Sequence, residues 1–136
     1  MTDLEGIDTR STEIRPRPRP EARVARKVLL FDVKTEAEAL EAEGPWKAHG
    51  HNAKTLVRRD DSRLVLVAMK AGIRLHQHKC SGSYTVQTEK GRVRVHLPDE
   101  VVELLPGMIL SVAPGIAHDL EATEQSLLLL TFAVPN

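Results

Sequence analysis

Gly72-Ile73-Arg74-Leu75-His76-Gln77-His78-Lys79-Cys80 is the stretch on which the reading of this chain turns, and Gly107 with Pro114-Gly115-Ile116-Ala117-His118 is its counterpart downstream. Three of the six histidines and the only cysteine fall in these two pieces. His76, His78 and Cys80 stand two apart in a segment that alternates like a strand. Residues i, i+2 and i+4 of a strand point to one face, so the three side chains are expected to project together. His118 follows a Pro-Gly corner where a strand can turn back and bring it alongside. Imidazoles and a thiol converging on one point suit a divalent transition metal such as Zn, Fe, Ni or Cu.

Outward from this stretch the pattern is β from Ala53 onward. Lys54–Arg59 meets a turn at Asp60-Asp61-Ser62 and continues as Arg63–Lys70. After the histidine segment, Ser81-Gly82 turns into Tyr84–Thr88 and Lys90-Gly91 into Arg92–Leu97. Arg92–Leu97 alternates polar and apolar residues, as a strand with one wet and one buried face does. Glu100–Leu105, Met108–Val112, Ala117–Glu121 and Ser126–Val134 complete the series. Many short strands separated by Gly, Pro and Asp turns predict an all-β sandwich or barrel. Four consecutive leucines, Leu127 to Leu130, predict a strand covered on both faces.

The two pieces resemble the paired motifs of the cupin superfamily, in particular its small single-domain (cupin 2-like) conserved barrel proteins. The second motif of that family runs Gly, five residues, Pro-x-Gly, two residues, His. Gly107, Gly115 and His118 fall in register with it, Ala113 stands at the first proline position and Pro114 lies one place later. The first motif runs Gly, five residues, His-x-His, three or four residues, Glu, six residues, Gly, and can be laid on this chain in two ways. Counted from Gly72, His78 is the first ligand, Cys80 takes the second, Tyr84 takes the glutamate's place and Gly91 closes the motif. Matched on His-x-His, the ligands are His76 and His78, with Ser83 near the glutamate position. Neither register has the glutamate. The resemblance covers residues 53–134 and implies a double-stranded β-helix (a jelly-roll barrel, with core motifs at 72–91 and 107–118). It implies metal ligation by His76, His78 and His118, with Cys80 as an alternative ligand and Tyr84 and His96 as outer-shell donors. It also implies a small-molecule ligand and a homodimer, the second subunit supplying the outer cover of the leucine strand.

Ahead of the barrel, Val28–Val33 predicts a strand and Lys34–Glu43 a short helix, with Thr35 as N-cap and Gly44-Pro45 as its end. Trp46 is expected to pin that helix against the barrel, and His49-Gly50-His51 is expected to be a loop. Residues 1–22 are expected to be a flexible, basic, Pro-rich arm, polyproline II or disordered. Arg15-Pro16-Arg17-Pro18-Arg19-Pro20 lacks the alternate N–H groups that helices and central strands need, and residues 23–136 are expected to be one domain.

Formal net charge is zero, which argues against a nucleic-acid or membrane-surface partner. No run reaches the roughly 18 apolar residues of a membrane span. The first residues show no basic start followed by an apolar core, and one cysteine forms no internal disulfide, so a reducing cytoplasm is the expected setting. With one Trp, one Tyr and two Phe, the core is expected to be aliphatic. Two functions are compatible with these residues. One is a metal-dependent oxygenase or isomerase, and the other is a non-catalytic, metal-free barrel that binds a ligand as sensor or scaffold.

Overall fold

The structure, a computed structural model, describes residues 27–76 and 80–134. The Arg-Pro arm and His78 lie outside the described residues. Among the described residues two short helices precede the strands, α1 (Val33–Glu41) and α2 (Gly44–His49). Nine strands follow: β1 (His51–Arg58), β2 (Ser62–Met69), β3 (Arg74–Leu75), β4 (Tyr84–Lys90), β5 (Val93–His96), β6 (Val101–Leu104), β7 (Ile109–Val112), β8 (Asp119–Ala122) and β9 (Ser126–Ala133). They form a five-stranded sheet in the order β1-β2-β9-β4-β7 and a four-stranded sheet in the order β3-β8-β5-β6. Every pairing is antiparallel.

The two sheets close on an aliphatic core. Val65, Val67, Met69, Val86, Leu128 and Leu130 from the first sheet face Leu75, Val93, Val95, Leu104, Leu120 and Ala122 from the second. Alternation sets the composition of each face. Along β8, Leu120 and Ala122 are buried, while Asp119 and Glu121 between them point outward. Among the described residues no helix is long and apolar enough to cross a membrane.

A second apolar layer lies on the outer face of the five-stranded sheet. Ala37, Leu40 and Trp46 from the helices pack there on Leu56, Leu66, Ala68 and Leu127. This layer supplies the second cover of the leucine run: Leu128 and Leu130 face the barrel, and Leu127 and Leu129 face the helices. The outer cover that the resemblance assigned to a second subunit is provided by the chain's own helices. Burying a side chain such as Leu40 contributes about 2 kcal/mol. Polar ties reinforce the layer: the Asn52 side chain donates to the Leu40 carbonyl at 3.0 Å and to Glu43 at 2.8 Å, and Lys54 pairs with Glu36.

The entry to the fold differs from the sequence expectation. No strand of the described residues includes Val28–Val33; Phe31 and Val33 pack against the helical layer instead, and helix α1 already begins at Val33. Its N-cap is Asp32, whose carboxylate accepts from the Thr35 amide at 3.2 Å, three residues ahead of where Thr35 would have capped it. Gly44-Pro45 starts a second helix as well as following the first, because proline at the first helical turn has no N–H to leave unpaired. His49-Gly50-His51 is a helix end running directly into β1, with His51 buried.

Gly91 and Gly72 both have positive φ, 90° and 88°, but their surroundings differ. A Cβ at Gly91 would meet the Gln125 carbonyl and stand 2.7 Å from Ser126 Cα, whereas one at Gly72 would meet nothing. Gly91→Ala is therefore expected to cost more than about 2 kcal/mol and Gly72→Ala about 1 kcal/mol. Urea denaturation of the two variants checks that order.

Candidate functional site

His118 immediately precedes β8 and shares the inward parity of Leu120 and Ala122, so its ring enters the barrel and is 2 % exposed. The corner before it is tied to the histidine-cysteine segment, since the Gly115 amide donates to the Cys80 carbonyl at 2.9 Å. That bond brings the two sequence pieces together. Within the corner, the His118 Nδ1–H donates to the Ile116 carbonyl at 3.0 Å. With the proton on Nδ1, the other nitrogen carries a lone pair. Nε2 is buried and has no hydrogen-bond partner among the described residues.

Burial keeps this ring neutral. Desolvation lowers the pKa of His118 from its ordinary 6.5, against smaller upward pushes from the Ile116 carbonyl and from Asp119. Tyr84 stacks on the ring, with centroids 4.4 Å apart, and Phe132 also stacks on Tyr84, at 5.3 Å. The Tyr84 hydroxyl is likewise buried without a hydrogen-bond partner among the described residues. Burial first, and the neighbouring Cys80 second, push the phenol's pKa far up, so it stays protonated. Beyond Phe132 lies Arg63, its guanidinium carbon 5.9 Å from the ring centroid. Arg63, Phe132, Tyr84 and His118 thus form one continuous stack running from the β1–β2 hairpin into the barrel.

The candidate ligands of the sequence reading separate into two groups. Cys80 is buried in the same core as Tyr84, and both share the barrel interior with His118. His76 does not join them. Strand β3 ends at Leu75, so the regular alternation from His76 to Cys80 is broken. The His76 ring is turned to the outer face, where its Nδ1 lies 3.1 Å from the Asp119 carboxylate, which also accepts from Arg74 at 2.9 Å. His96 is on that outer face too, its Nε2 2.7 Å from Glu121, whose pKa the contact lowers. His96 therefore does not act as an outer-shell donor to His118.

Of the two registers, the one counted from Gly72 is the one whose described members, Cys80 and Tyr84, lie inside with His118. Among the described residues, no three His, Cys, Asp or Glu side chains converge as a metal-binding group. His51 is inward but remote. It pairs with Met69, whereas Arg58 at the other end of the same strand pairs with Arg63, a separation of roughly 20 Å along the strand. Phe132 and Arg63 were not legible as site residues, because their place beside Tyr84 follows from the pairing of β9 with both β2 and β4.

No family model and no curated protein matches the chain. Solved structures do. A conserved protein of unknown function from Streptococcus pyogenes superposes with a TM-score of 0.66 at 21% identity, over 82% of this chain and 91% of that one. A cupin superfamily protein from Desulfitobacterium hafniense gives 0.62 at 15% identity, over 64% and 80%. A variant of salicylate 1,2-dioxygenase from Pseudoaminobacter salicylatoxidans gives 0.61 at 23% identity, over 74% of this chain and 31% of that one. At these identities the likeness establishes the architecture, and the architecture is the cupin jelly-roll barrel.

A histidine whose pKa is lowered by folding binds fewer protons folded than unfolded. Its contribution to stability is complete above the unfolded value and is lost as pH falls from there toward the folded value. The unfolding free energy is therefore expected to fall below pH 6.5, the ordinary value of His118, more in the native protein than in His118→Gln. Urea titrations at stepped pH measure the difference.

Proposed function

We propose that this chain, a small barrel of the cupin fold, binds a small organic molecule beside His118 and holds a divalent transition metal there. His118 and His78 are its histidine ligands, and Cys80 is the alternative thiol ligand. The observation that carries this reading is the buried Nε2 of His118. Its tautomer is fixed by the Ile116 carbonyl, and its lone pair has no partner among the described residues. A carbonyl fixing one ring nitrogen while the other is presented is the arrangement found behind metal-ligating histidines. Leaving a buried polar atom unsatisfied costs about 1–3 kcal/mol, a cost that a bound ligand offsets.

Such a metal would supply Lewis acidity toward a carbonyl or activate dioxygen. The dioxygenase among the structural neighbours makes oxygen chemistry one candidate reaction. The chain's own residues have narrower tasks. His118, kept neutral by burial, presents its lone pair. Tyr84, kept protonated, offers a phenol O–H that donates to a bound oxygen atom. The stacked rings of Tyr84 and Phe132 exclude water and give an apolar wall for the ligand.

A second reading is a metal-free binding barrel. Two features favour it: Tyr84 occupies the place where the resemblance would put a carboxylate, and no trio of donors converges among the described residues. In that reading, Nε2 and the Tyr84 hydroxyl are the polar contacts of the ligand itself.

Elemental analysis of untagged protein purified without chelator separates the two. Near-stoichiometric Fe, Ni, Zn or Cu, lost in both His118→Ala and His78→Ala, is the expected result. Failure to retain any of the four ions after incubation with each would remove the metal and leave the binding barrel.

A further inference from the structure

The β1–β2 hairpin carries Arg58, Arg59 and Arg63 around Asp60 and Asp61. Regular alternation would send Arg58 outward, because Thr55 faces the barrel and three residues separate opposite faces. A β-bulge between Thr55 and Val57 changes that. Leu56 and Val57 both pack against the helical layer, and Arg58 comes to lie directly opposite Arg63. Arg63 in turn pairs with Phe132, whose ring is in the barrel core. Residues directly opposite on paired strands share a face, so both guanidiniums are on the inner side at this end of the barrel. Bulges commonly re-aim a side chain at the rim of a barrel or beside an active site.

Two like charges set directly opposite each other are unfavourable by themselves. Here they are half-buried at the head of the stack that leads to His118. Asp60 and Asp61 at the exposed tip offset part of the charge, and three arginines against two aspartates leave the hairpin positive. Both arginines already have contacts in the structure, Arg63 with the Phe132 ring among them, so an incoming anion would compete with those contacts. A guanidinium is planar by its own delocalisation, and its fork of N–H donors takes a carboxylate or phosphoryl group bidentately.

From this geometry we infer that Arg63, with Arg58 beside it, anchors the oxyanion group, carboxylate or phosphoryl, of a small organic ligand whose body lies along Phe132 and Tyr84 toward His118. The inference deepens the proposal that a small molecule binds beside His118, and it holds for either the metal-bound or the metal-free form.

The test is a thermal-shift and calorimetric series on the full chain with benzoate, phenyl phosphate and succinate. Their uncharged counterparts benzamide and succinamide are run alongside, and metal content is measured in the same samples. Binding of at least one anion, with its amide at least about tenfold weaker, is expected. Arg63→Gln should abolish the discrimination, Arg63→Lys should restore part of it, and Arg74→Gln on the outer face should leave it unchanged. A preference for phenyl phosphate over benzoate, or the reverse, supports the anchor and identifies the group it takes.

Three results would overturn the inference. They are indifference to every anion, equal response to acid and amide, or an Arg63→Gln variant that loses thermal stability yet still discriminates. The last would mean that Arg63 only braces the hairpin. Anion discrimination in metal-free protein would leave the anchor standing and remove the metal, whereas bound metal without discrimination would do the opposite.

Discussion

One buried imidazole constrains the rest of the site. His118 sits where water does not reach, and its Nδ1–H is committed to a carbonyl two residues back in its own corner. That corner is in turn held by the Gly115-to-Cys80 backbone bond. The ring therefore cannot flip to share its proton, and desolvation keeps it from gaining a second one. Tyr84 lies against its face, so the phenol is buried by the same contact that positions the histidine. What results is a neutral, rigid pair of polar atoms, Nε2 and the Tyr84 hydroxyl, enclosed by aliphatic walls. Neither has a partner among the described residues.

Alternation then decides which other groups can take part. Asp119 and Glu121 flank Leu120 on β8 and face outward, so their charge is used by Arg74, His76 and His96 on the outer surface of the four-stranded sheet. A shift of one residue along β8 would have put Asp119 inside with His118 gone. The barrel interior is left without a carboxylate at Tyr84's position. The positive charge nearest the aromatic stack comes from the hairpin at its head, where the bulge in β1 turns Arg58 toward Arg63.

Much of this was legible in the sequence. Most of the strands follow the alternating runs and their Gly, Pro and Asp turns, because period-two burial is a local property of the chain, although β1 starts earlier, at His51, and β3 is confined to Arg74–Leu75. The placement of Cys80, Tyr84 and His118 inside one barrel follows from the two glycine-anchored motifs. His76 was misplaced because identity of spacing was read as continuity of strand, and strand β3 stops before that histidine. The Val28–Val33 segment was misplaced because apolar residues serve equally well as packing for a helical layer, which is where Phe31 and Val33 lie. The leucine run did predict two covered faces but not what covers the second, which depends on where helices fifty or more residues earlier in the chain come to rest. A single-residue bulge leaves no mark in the composition, so the inward turn of Arg58 was invisible.

The tautomer of His118 tests this account most directly. Long-range proton–nitrogen correlation spectroscopy of the imidazole at neutral pH should show a neutral ring protonated at Nδ1. Nε2 should carry the lone pair and shift when Zn(II) or another candidate ion is added. A ring protonated at Nε2, or an imidazolium at neutral pH, would contradict it, because the lone pair on which the site is built would not then be available.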